Sequence, residues 1–292
     1  MDQAILVQPN QQPDRGSKPG SAIGTILLHI QNDRSNEQRL QFALSLARAT
    51  GAHLECAQIT PIEAYVTTGT LGGVLALGKA MEKVDAEDDA MESRIRSRLA
   101  LEDVSWDYEH VTGYETVELV HRAALADLLI VGRDPHASRA QRPQLSVLGD
   151  ILDNCRTQLL IPATGGGGFD PFGPAMIAWN GSYEAANATR AAIGLLKLAS
   201  RVKVVRFTEN RPNAFSDIRL TQYLSRHGVH AELDVREVRE DYVTDLVEYA
   251  SGYGASYIVM GGYGHSRAGE FLFGGVTREL LRDCPLTLIM SH

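Results

Sequence analysis

Over the last third of each half, a shift of 129 residues lays the chain on itself without a gap: Ala126 falls on Ala255, Gly132 on Gly261, Val147 on Val276, Ile151 on Leu280, Leu152 on Leu281, Cys155 on Cys284 and Leu159 on Leu288. Spacing kept through a strand, a loop, a helix and a second strand marks a duplicated unit. At 292 residues the chain has room for two units of roughly 150 residues each. Whatever topology one half adopts, the other half must adopt as well.

The apolar pattern supplies that topology. In the first half it predicts strands at 25–30, 53–59, 106–111, 128–131 and 158–161. Helices are expected between them: one opened by a Ser35/Gln38 capping box with Leu40, Ala43, Leu44 and Ala47 on its buried face, one from 79 to about 101 after a loop at 61–78, one marked by Val117, Val120 and Ala124, and one at 147–155. Residues 1–22, rich in Gln, Pro, Asp and Gly, read as a flexible tail. Residues 164–174 carry too much Gly and Pro for an element interior and read as a linker. Beyond it the alternation restarts, with strands at 175–179, 202–207, 230–238, 257–260 and 286–290. The helices expected there run from Ser182 as N-cap to 198, over 214–226, over 243–250 and from Gly274 onward. Strand and helix alternate five times per half, which implies an α/β fold of two tandem doubly wound domains, 23–163 and 175–292, each a five-stranded parallel sheet flanked by helices.

One stretch of the second half carries chemistry. The apolar run at 257–260 ends in Gly261-Gly262-Tyr263-Gly264, nine residues follow, and Gly274-Gly275-Val276-Thr277 opens a helix. Glycines leave backbone N–H groups unobstructed, and a helix N-terminus adds unpaired donors and a positive dipole end, so the stretch can cradle phosphate. The plainer reading is a tight turn and close helix packing. Ligands of doubly wound sheets sit where the strand order reverses. Neighbouring first and fourth strands would bring Asn180-Gly181-Ser182 to the same crevice. Under the 129-residue shift Gly264 lands on Pro135, Gly274 on Leu145 and Gly275 on Ser146, so the first half keeps the scaffold without these glycines.

Composition narrows the alternatives. A net charge of −8 without any basic run argues against nucleic acid or an anionic membrane as partner. Three cysteines without Cys-x-x-Cys speak against a disulfide framework or zinc site, and Cys155 and Cys284 read as small apolar filler. With no secretory pattern and no run of eighteen apolar residues, a cytoplasmic location is expected. The acidic run 85–89 reads as a solvated helix face, and Gly264-His265-Ser266 lacks the spacing of a nucleophile elbow. Trp179 is expected in the core and Tyr263 at the surface. His265 and Arg267 stand where they could meet phosphate or remain solvated loop residues. No base and nucleophile are paired by spacing, so no catalysis is expected.

The second half resembles the universal stress protein family, whose nucleotide-binding members carry Gly-x2-Gly-x9-Gly-Ser/Thr; Gly261, Gly264 and Gly274 match the glycines. Gly275 stands where the family has its first Ser/Thr, and Asn180, with Gln31 in the first half, stands where ATP-binding members have Asp. The resemblance implies a strand order of 3-2-1-4-5 in each half and pairing through the last strands, either as an intramolecular pseudo-dimer or as a homodimer through 286–290. It implies a stress-response regulator that binds an adenine nucleotide, ATP, in its second domain through Asn180, Gly261, Gly264, His265, Gly274, Gly275, Val276 and Thr277, with no metal. A nucleotide-free interaction protein and a slow ATP hydrolase are the alternatives.

Overall fold

The computed structural model describes residues 23–62, 73–133, 144–208, 215–262 and 275–292. The first half runs β1 (Thr25–Ile30), α1 (Asn36–Thr50), β2 (His53–Pro61), α2 (Gly73–Leu99), β3 (Trp106–Gly113), α3 (Glu115–Ala123), β4 (Leu128–Ile130), α4 (Gln144–Asn154) and β5 (Gln158–Ile161). The second runs β6 (Ala175–Ala178), α5 (Tyr183–Ala191), α6 (Ile193–Leu196), β7 (Val202–Thr208), α7 (Asp217–Arg226), β8 (Ala231–Glu237), α8 (Tyr242–Tyr253), β9 (Tyr257–Gly261), α9 (Gly275–Asp283) and β10 (Thr287–Ser291). All ten strands lie in one sheet, in the order β3-β2-β1-β4-β5-β10-β9-β6-β7-β8. Each half therefore has the order 3-2-1-4-5, every pair within it parallel. The repeat extends to register: Leu128 faces Gln158 as Tyr257 faces Thr287, and 129 residues separate the equivalent positions of both pairs.

Alternation along the strands sorts the apolar side chains onto two faces. Ile26, Leu28 and Ile177 join α1, α2, α5, α6 and α7 on one. Leu27, Leu129 and Met176 join α3, α4, α8 and α9 on the other. Both cores run uninterrupted past the join between the halves. That join is antiparallel, with Leu288 opposite Ile161, Ile289 opposite Leu160 and Met290 opposite Leu159. The 286–290 strand is thus paired inside the chain, and β3 and β8 are the outer strands. Among the described residues no helix is long and apolar enough to cross a membrane.

Several local expectations need correction. Ser35 makes no side-chain cap; Asp33 Oδ1 instead accepts from the Ser35 N–H at 2.7 Å, and Gln38 donates to the Gly167 carbonyl at 2.7 Å rather than back to the cap. The second helix begins at Gly73, inside the stretch read as loop, because helical geometry continues through a glycine when no Pro stops it. The helix expected to reach 198 breaks after Ala191 and resumes at Ile193. Val117 is exposed on α3, whose buried residues are Leu119 and Ala123. Ser182 does cap α5, accepting from the Ala185 N–H at 3.1 Å.

The 164–174 stretch is packed rather than loose. Gly165 (φ 75°) and Gly166 (φ 81°) adopt left-handed backbone that side chains disfavour. Phe169 then inserts between Phe42 of α1 and Tyr257 of β9, with ring centroids 5.3 and 5.6 Å away. Thr164 and Arg133 both donate to the Cys284 carbonyl beyond α9, and Arg133 also reaches the Leu280 carbonyl at 2.8 Å. Phe169→Ala should lower the unfolding free energy by about 3–5 kcal/mol, read from the shift of a urea unfolding midpoint.

Candidate functional site

β6 pairs with β9 on one side and β7 on the other, so the chain leaves β6 at the point where strand order reverses. Two loops meet there. In the first, Asn180 Oδ1 accepts from the Ser182 N–H at 3.1 Å and Gly181 takes φ 73°, which delivers the chain into the capped first turn of α5. The Asn180 oxygen is engaged by its own loop, leaving the side-chain NH2 as the group available for donation. In the second, β9 ends at Gly261, and a Cβ built there would lie 2.5 Å from the Glu184 carbonyl carbon and 2.6 Å from the Ala185 nitrogen. Gly261 is thus required by the close approach of α5. The Gly262 N–H donates to the Ser291 carbonyl at 2.8 Å, and a Cβ on Gly262 would come 3.3 Å from Leu152 of the first half.

Gly275 opens α9, exposed, and among the described residues nothing comes within 4 Å of the position a Cβ would take. Val276 is half-buried and Thr277 buried. Gly264, His265 and Gly274, with Tyr263, Ser266 and Arg267, lie outside the described residues. Sequence reading missed Glu184, in the first turn of α5, whose backbone touches Gly261 and whose Oε2 is buried without a hydrogen-bond partner. The only signal for it was its place just behind Asn180-Gly181-Ser182.

The equivalent crevice of the first half is filled by its own side chains. Arg39, fully buried, donates from Nε to the His29 carbonyl at 3.2 Å and from Nη1 to both oxygens of Asp33 at 3.0 and 2.8 Å. It lies over the end of β4, where a Cβ on Gly132 would sit 2.2 Å from its Nη1. Gln31, the counterpart of Asn180, donates to Glu115 Oε1 at 2.6 Å. His29 is fully buried, 3.5 Å from the same carboxylate, and neither ring nitrogen makes a hydrogen bond. Burial, and secondarily the Arg39 charge, pushes its pKa down to about 3.

Elsewhere, Cys56, Cys155 and Cys284 are all buried, and burial pushes the Cys56 and Cys284 thiols up, away from the reactive thiolate. Among the described residues no group of three or more His, Cys, Asp or Glu could hold a metal ion. Trp179 is buried, its indole N–H donating to Asp217 Oδ1 at 3.0 Å.

With this geometry in view, residues 218–292 match the model of the Universal stress protein family. The whole chain is similar in fold to a universal stress protein from Archaeoglobus fulgidus DSM 4304, with 11% identity, a TM-score of 0.71, and 91% of this chain and 97% of that one covered. It is also similar to a functionally unknown protein from Pseudomonas aeruginosa PAO1, with 15% identity, a TM-score of 0.57, and 93% of each chain covered. At such identities the likeness is one of fold. No curated protein matches the chain in sequence.

His29 gives a pH dependence of definite sign. Unfolding restores an ordinary histidine that binds a proton below about pH 6.5, whereas the folded form stays neutral to about pH 3. The unfolded state then binds more protons in that window, so stability is full above pH 6.5 and falls as pH drops toward 3, by on the order of 1.4 kcal/mol per unit. His29→Leu, which removes two unpaired polar atoms, should flatten this slope in urea unfolding at pH 7 to 4 while costing little at pH 7. Gly261→Ala should destabilise by about 1–3 kcal/mol, because the clash is with helix backbone; thermal unfolding measures it.

Proposed function

We propose that the chain is a tandem universal stress protein, with domains at 23–163 and 175–292, a linker at 164–174 and the last strands joined as an intramolecular pseudo-dimer, and that it binds one adenine nucleotide, ATP, in the second domain. The observation that carries this is the crevice at the strand-order reversal. There β6 and β9 lie side by side, which brings Asn180 and Gly261 to neighbouring strand ends, and Gly261 and Gly275 fall within the segment that matches the family model. The α9 amides, with Val276 and Thr277, offer phosphate donors and a positive dipole end. Gly264, His265 and Gly274 complete the cradle in this reading. The Asn180 amide and the unpaired Glu184 carboxylate oxygen suit sugar hydroxyls, one donating and the other accepting. The first domain takes no nucleotide, because Arg39 and its partners occupy its crevice.

The protein acts by occupancy rather than turnover: bound nucleotide biases its conformation and its choice of partner in a cytoplasmic stress response. ATP should raise the melting temperature, the gain in stability reaching ~2.7 kcal/mol at a hundred times the dissociation constant, with one nucleotide per chain in equilibrium dialysis. Gly264→Val should abolish both effects and leave unfolding without ligand unchanged. Absence of any shift at millimolar ATP would favour a nucleotide-free interaction protein, and phosphate release over hours would identify a slow hydrolase.

A further inference from the structure

On the outer side of the second half a groove of about 320 Å³ runs between α5 and α7. Its walls are Tyr183, Phe215, Leu220 and Tyr223, and Arg190 and Arg219 stand at its edge. We propose that this groove is a binding site for a small planar aromatic anion, a one- or two-ring carboxylate or its like, separate from the nucleotide crevice.

Three features support the assignment. The aromatic walls are held in place before any ligand arrives. Tyr183 is 67% exposed yet meets Phe215 edge to face at 4.7 Å, and the Phe215 N–H is tied to the Gly181 carbonyl at 2.8 Å. Trp179 closes the base with its indole fixed by Asp217, which Arg206 holds in turn at 3.0 Å. Walls fixed in this way offer ring faces and edges to a flat guest with little ordering cost.

The charge is also one-sided. Among the described residues no carboxylate lines the groove and neither Arg190 nor Arg219 has an ion-pair partner, in a chain of net charge −8. Asp217, at the start of α7, is already engaged by Arg206 and Trp179. Two unpaired guanidinium groups beside aromatic walls select an anion carried on a ring over a neutral or cationic guest. The third feature is size: the volume is at the low end for small-molecule sites.

The test uses the full-length protein and 2-naphthoate as probe, with its neutral analogue 2-naphthamide as control, followed by calorimetry and by tryptophan emission, since Trp179 lies at the base. Saturable binding of one naphthoate per chain is expected. Arg190→Gln with Arg219→Gln should weaken naphthoate by about tenfold or more and leave naphthamide unchanged, whereas Tyr183→Ala should weaken both. All three positions are exposed, and each single Arg variant should move affinity in the same direction if the double variant unfolds. Binding that does not saturate, or that ignores the Arg substitutions, overturns the proposal. So does displacement of naphthoate by ATP, which would put the probe in the nucleotide crevice; failure of ATP to bind at all leaves this result untouched.

Discussion

The antiparallel pairing of β5 with β10 is the contact on which the arrangement depends. A five-stranded parallel sheet alone would leave its last strand as an apolar edge with unpaired N–H and C=O groups, an open invitation to association. Pairing the two last strands satisfies both edges at once and lets each apolar face continue across the boundary. Side chains then reach over the join: Arg133 to the end of α9, Gln158 to the Ala188 carbonyl, and Phe169 between α1 and β9. The halves are covalently tandem and physically one sheet.

The ends of the fourth strands in the two halves are built differently. Both have a glycine at the end of the fourth strand, Gly132 and Gly261, and both glycines are needed because something approaches too closely for a Cβ. In the first half that neighbour is the Arg39 guanidinium, locked to Asp33 and the His29 carbonyl. In the second it is the backbone of α5. A buried, paired arginine is costly to displace, so the difference between the two strand ends is built from one side chain and the helix that carries it. The same arrangement strands His29 as a neutral ring and ties the stability of the first half to pH.

Much of this was legible in the sequence for a physical reason: strand and helix periodicities are local, and a gapless internal match constrains topology without any homologue. Strands β1 and β5 sit where the pattern placed them, and the others differ by a residue or two at their ends. Local signals failed where long-range contacts compete. Ser35 and Gln38 have the capping-box spacing, yet Asp33 and the Gly167 carbonyl take those bonds. The glycine-rich linker looked like a spacer because the two rings that hold Phe169 come from far along the chain.

Sequence alone determined the repeat, the alternation of strand and helix, and the placing of the glycine-bearing loop after the ninth strand, since each depends on spacing within a short window. The tertiary structure decided which of those glycines answer to packing. It showed that Gly261 makes way for α5 while no described residue crowds Gly275, that Asn180 turns its oxygen inward on its own loop, and that Glu184 stands beside Gly261. It alone decided that Arg39 closes the first crevice and that Tyr183, Phe215 and Tyr223 share one groove. Those outcomes depend on which elements the sheet brings side by side, and no pattern within a single element encodes a distance to another.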